Sequence, residues 1–280
     1  MARKNIFEQM STKWDLEVEA RRIRRLFETE KILHVRADFL DCDNYSLKDF
    51  VEDYCFSTWK ARGRCINVAD FLSEFFYENL LYRAKKECES FLTLIEIVFN
   101  FWKLAERQLG SRSEFKCSPN FYHLKDVLHS YLSHYNHTTI YNEETEKLIV
   151  IEDKPEATAV AEIVAPELAM NLLRYNHHTL RGDVEEKRKI LNLMGQALEP
   201  KRKELKNISS RSEDNIFYFL NNLHIRHNDS DEKHIADMPE SELEEWYDEL
   251  YQMILFANLE LDQVERNRRF KELKNLIETP

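Results

Sequence analysis

The chain has 280 residues, a net charge of −11, 43% hydrophobic and 12% aromatic residues, and only four glycines and six prolines. That much apolar material excludes wholesale disorder, and the shortage of turn formers excludes a turn-rich β architecture. The acidity argues against coating nucleic acid or anionic membrane as the main task.

The N-terminal "MARKNIFEQM" lacks the apolar centre of a signal peptide. No apolar run approaches the length of a membrane span. The five cysteines are irregularly spaced, with no Cys-x-x-Cys among them, which reads as reduced thiols. The expected location is the cytoplasm, with no membrane partner.

In chain order, Ser11 and Asp15 open a helical pattern carrying Trp14, Val18 and Ile23 to about Phe27. Its "RRIRR" reads as a solvated face. Ser46 with Asp49 forms a capping-box-like start for Tyr45 to Gly63, where Leu47, Phe50, Val51 and Tyr54 recur at helical spacing and Gly63 suits the C-terminal cap. Residues 67–110 contain no proline or internal glycine before Gly110, and predict two helices or one long one. The aromatics there, Phe91, Phe99 and Trp102 among them, read as core.

Another helix is expected from Asn120 to Thr138. Its His134 and His137 share a face, but no Asp, Glu or Cys stands where it would complete a zinc site. Neither a metal nor any other cofactor is expected.

"KLIVIED" (residues 147–153) is the one stretch with a clear strand pattern, followed by "ATAVAEIVAP" (157–166). The two segments form a short hairpin, or the second is already helix. Beyond Pro166 the pattern is helical to the end. One helix runs toward Gly182. A second starts at Asp183 with Glu186 three residues on, and is interrupted near Pro200. A third starts at Ser212 or Asp214, and a fourth at Pro239 or Ser241. The fold class is therefore all-α: an N-terminal helical domain (1–140), a short β insertion or linker (141–160) and a C-terminal helical bundle (161–280).

The segment "NNLHIRHNDSDEKH" (221–234) puts Asn, His and Arg directly behind the apolar "IFYFL". Such groups are costly to bury unpaired. With residues 215–228 taken as helix, Asn222 and Arg226 lie four apart on one face. Arginine grips phosphate bidentately, and histidine works as acid or base near neutral pH. The alternative is a hydrogen-bonded helix terminus, with Arg226 paired to Asp229, Asp231 or a carboxylate of "SELEEWYDELY". "RYNHHTLRGD" (174–183) holds Asn176 and His177 in the same ambiguity, as a cap or as a lining of the same site.

Arg226 followed by His227 at the end of the third helix of a four-helix unit resembles the HEPN (higher eukaryotes and prokaryotes nucleotide-binding) superfamily. The resemblance covers roughly Ala161 to Pro280. It implies an α-helical bundle and a metal-independent endoribonuclease of bacterial anti-phage, abortive-infection defence, cleaving RNA by 2′-OH attack as a homodimer. An antitoxin or a phage-derived trigger would be a further partner. On that resemblance Arg226 stabilises the phosphate, and Asn222 orients the catalytic pair. Either His227 or His234, on a loop that folds back, is the base or acid. Seven residues separate Arg226 from His234, longer than the family's usual spacing. Asn228, Asn176 and His177 would bind substrate. Its competitor is a non-catalytic helical regulatory or partner-binding protein on a degenerate version of the same fold. Phosphate-loop, dinucleotide-binding, serine-hydrolase and zinc-protease motifs are all missing from the sequence.

Overall fold

A computed structural model describes residues 15–36, 42–226 and 238–278. The described chain is mostly helical, with two small antiparallel sheets, and divides into two compact units, residues 1–150 and 151–280.

In the first unit, α1 (Leu16–Glu28) starts at Asp15, whose carboxylate accepts the Glu17 and Val18 N–H groups. Such a cap satisfies donors that the first helical turn leaves open. Strands β1 (Leu33–Arg36) and β2 (Cys42–Tyr45) pair antiparallel, Leu33 opposite Tyr45. Helix α2 (Leu47–Tyr54) is capped by the Ser46 hydroxyl, which accepts from Asp49 N–H at 3.1 Å.

Two 3₁₀ turns, Phe56–Thr58 and Lys60–Arg62, replace the expected continuation to Gly63. Gly63 instead takes φ 62° just behind them. Residues 67–110 form three helices rather than one or two: α3 (Val68–Glu74), α4 (Tyr77–Arg83) and α5 (Cys88–Ser111). The first break is at Phe76, whose left-handed φ of 48° ends one helix and begins the next.

Helix α5 is the axis of this unit. Its buried residues, from Phe91 through Ile95 and Val98 to Trp102, lie on all sides, the pattern of a helix enclosed by its neighbours. Helices α1, α2 and α4 pack on it, as does α6 (Pro119–His134). Strand β3 (Phe115–Cys117) joins the far edge of β1, giving the order β2–β1–β3. This sheet corrects the expectation of a single hairpin. Its strands are three or four residues long, too short to show a period.

The second sheet is a hairpin that contains the expected strand, β5 (Lys147–Glu152), but pairs it with the preceding β4 (His137–Asn142) rather than with residues 157–166. Helix α6 therefore stops at His134, and Asn136 turns the chain at φ 55°. His134 and His137 accordingly do not share a helix. Asn100 of α5 clamps β5 twice: its Nδ2 donates to the Leu148 carbonyl at 2.8 Å, and its Oδ1 accepts from Leu148 N–H at 2.9 Å.

In the second unit, residues 157–161 belong to α7 (Pro155–Ala161), the helical alternative for that segment. Proline at the first helical positions starts both α7 and α8 (Pro166–Arg174). Asp183 caps α9 (Val184–Leu198), accepting from Glu186 N–H at 3.0 Å. A 3₁₀ turn through Pro200 leads to α10 (Arg202–Ile208), then α11 (Ser210–Asn222) and α12 (Glu240–Glu278). Helices α7, α9, α10 and α11 all pack on α12, burying Tyr247, Leu250, Tyr251, Ile254 and Leu261. Among the described residues, no helix is long and apolar enough to cross a membrane.

Candidate functional site

Helix α11 buries Ile216, Phe217 and Leu220 and ends at Asn222, six residues short of the expected Asn228. Two apolar residues beyond the end, Leu223 and Ile225, are both buried. To bury both, His224 between them adopts φ 54°, a left-handed conformation that histidine takes more readily than most residues. The reversal is then pinned. Arg226 N–H donates to the Leu220 carbonyl at 3.2 Å, Tyr247 OH donates to the Leu223 carbonyl at 3.0 Å, and Arg188 donates to the His224 carbonyl at 3.3 Å. These bonds satisfy carbonyls that a helix end leaves open. Burial pushes the Tyr247 phenol up to about 12, so it stays a neutral donor.

Asn222 and Arg226 consequently do not stand on one helical face. Asn222 bonds its own helix, Nδ2 to the Tyr218 carbonyl at 2.7 Å. Arg226 lies beyond the helix and turns to Glu199, with which it pairs, and to Asn221 Oδ1 at 3.4 Å. Its guanidinium carbon stands 5.3 Å from the centre of the Phe217 ring. Arg202 stands 4.3 Å from that same ring, bonds Glu213 at 2.5 Å, and approaches Glu199 at 3.6 Å. Two guanidiniums thus share one aromatic ring and one carboxylate. Glu213 is buried, so its charge depends on Arg202 for compensation.

Sequence reasoning did not find Glu199, Arg202, Glu213 or Phe217. Part of the signal was present in the interruption at Pro200, which turns "EPKR" back toward α11. Among the described residues, Arg226 pairs with Glu199 and not with a carboxylate of "SELEEWYDELY". His227, Asn228 and His234, together with Asp229 and Asp231, lie outside the described residues.

Asn176 and His177 sit elsewhere. Asn176 follows α8; its Nδ2 donates to Tyr251 OH at 2.8 Å, and that hydroxyl donates to the Leu172 carbonyl at 2.9 Å. Tyr251 stacks on Tyr175 with centroids 4.0 Å apart and planes 7° from parallel. Tyr175 OH donates to Asp248 at 2.8 Å. Buried Lys187 holds both Asp248 and Glu244 at 2.7 Å. Gly182, at φ 80°, donates its N–H to Glu244 at 2.9 Å. Burial alone would raise the Glu244 carboxyl, but the Lys187 ammonium and the Gly182 N–H hold it below its usual range. His177 caps the 3₁₀ turn His178–Leu180, its Nδ1 accepting from Thr179 N–H.

Lys187 stands in the first turn of α9 and Glu199 just past its last. At 1.5 Å per residue the two clusters are about 18 Å apart along that axis. The structure therefore does not bring Asn176 and His177 to Arg226. No family model, curated protein or solved structure matches the chain.

Proposed function

We propose that this chain is a non-catalytic helical protein that works by binding a partner, with the bundle of residues 151–280 as the binding unit. The observation that carries this reading is the state of the groups suited to chemistry. Arg226 is paired with Glu199, Asn222 with its own helix and Asn176 with Tyr251. Arg202 and Arg226 together face Glu199 and Glu213, so two positive charges meet two negative ones. A pocket for a phosphate is favoured by surplus positive charge, and among the described residues of this cluster the charges balance.

A second reading is the metal-independent endoribonuclease. The convergence of Arg202 and Arg226 on Phe217 supports it: a phosphate taking the place of half-exposed Glu199 would meet both guanidiniums. His227, the next residue, would then serve as acid or base. An assay of RNA cleavage in EDTA, with wild type and Arg226→Ala/His227→Ala, separates the two. The binding reading expects no cleavage by either protein. Cleavage by wild type that is lost in the double variant establishes the nuclease.

A further inference from the structure

We infer that α12 binds the α12 of a second copy of this chain, antiparallel, through a face that its own bundle leaves uncovered. The inference rests on the partner-binding reading above and names the partner.

Helix α12 presents two faces. One carries Tyr247, Tyr251, Ile254 and Leu261, and is buried in the bundle. The other is mixed: Trp246, Met253, Phe256, Phe270 and Ile277 lie on one line of alternating steps of three and four, whose remaining positions are Glu249, Glu260, Gln263, Asn267 and Lys274. That spacing is the seam of a left-handed coiled coil. Trp246 is 46% exposed, Phe256 58%, Phe270 61% and Ile277 74%. From Gln263 to Glu278 the helix is exposed on every side, a projection about 24 Å long at 1.5 Å per residue.

Charge selects the partner and its direction. Residues 240–249 contain six acids and no base, whereas residues 266–274 contain five bases and one acid. A parallel pair would set acid on acid and base on base. An antiparallel pair sets the acidic start of each helix on the basic end of the other, and also opposes the helix dipoles.

The seam then fixes a register. Trp246 meets the partner's Ile277, and Met253 meets the partner's Phe270. Glu249 falls opposite the partner's Lys274. Neither Glu249 nor Lys274 has a partner within the described chain. At the centre, Glu260 meets the partner's Gln263. In this arrangement the projecting end of each α12 lies along the exposed Trp246–Phe256 stretch of the other.

The test is sedimentation equilibrium of the full chain. The wild type is expected at twice its 33.7 kDa mass. Phe270→Glu is expected to weaken the dimer by about tenfold or more, with an unchanged circular dichroism spectrum because the side chain is exposed. Glu249→Lys and Lys274→Glu should each weaken it, and their combination should restore it. A wild-type monomer at ~100 μM, a concentration that would populate any dimer with a micromolar Kd, overturns the inference. A dimer indifferent to Phe270→Glu, or a charge pair that the double exchange does not rescue, overturns it equally. None of these failures touches the non-catalytic reading, which is decided by RNA cleavage.

Discussion

Replacing Lys187 with methionine removes the one cation that serves both Glu244 and Asp248. Methionine keeps the apolar length of the side chain, so the change is mainly one of charge. Asp248 is about half exposed and will regain water, so little is lost there. Glu244, at 18% side-chain exposure, loses its ammonium and keeps the Gly182 N–H and the weaker pull of the Arg181 charge. Breaking a buried pair by removing one partner costs roughly 3–5 kcal/mol. The residual N–H and partial exposure place this case near the lower end, about 3 kcal/mol. For a unit of this size that is a fall in Tm of roughly 10 °C.

The pH dependence provides a sign. The folded carboxyl of Glu244 sits below its unfolded value. Its contribution is therefore full above the unfolded pKa, about 4.3, and is lost as pH falls through the folded one. Urea unfolding of wild type and Lys187→Met should differ most at pH 7, and the difference should shrink below about pH 4.3. A difference under about 1 kcal/mol at pH 7, or one unchanged at acid pH, would refute the assignment of Lys187 as the neutralising group.

Other expectations follow from single contacts. Asn100→Leu leaves both Leu148 backbone groups unpaired and should destabilise by about 3 kcal/mol in urea unfolding. A Cβ at Gly195 would lie 2.8 Å from Leu220 Cδ1. Gly195→Ala should therefore destabilise by about 1 kcal/mol net, overpacking outweighing the gain in helix propensity, and Leu220→Ala in the same chain should relieve the clash. Arg226→Ala should cost about 1 kcal/mol, since Glu199 is half exposed and can be rehydrated. Burial pushes the Cys55 thiol up to about 12, so Cys55 should react with a thiol reagent far more slowly than exposed Cys42.

Much of the helical order was legible because it is written locally. Ser46 and Asp183 cap the helices they precede, and the prolines at 155 and 166 start helices at their first turns. The sheet β2–β1–β3 was not legible. Its outer strands lie some seventy residues apart and pair with β1 through backbone groups, which leave no mark on side-chain pattern. The end of α11 was misjudged because the string after Asn222 reads as polar. Its burial of Leu223 and Ile225, two residues apart, is a strand-like spacing that a helix cannot serve. Arg226 reads from the sequence as gripping a phosphate or, alternatively, as paired with a nearby carboxylate. Its choice of Glu199, 27 residues earlier, depends on how α9 and α11 pack and has no local signature.

On the proposed partner-binding function, the polar residues around Arg226 hold structure and do no chemistry. Incubating the full chain with total RNA in EDTA, beside Arg226→Ala/His227→Ala, tests it most directly. Intact RNA is expected in both. RNA cut by the wild type and spared by the double variant would contradict it, and would make Arg226 and His227 the working pair of a nuclease.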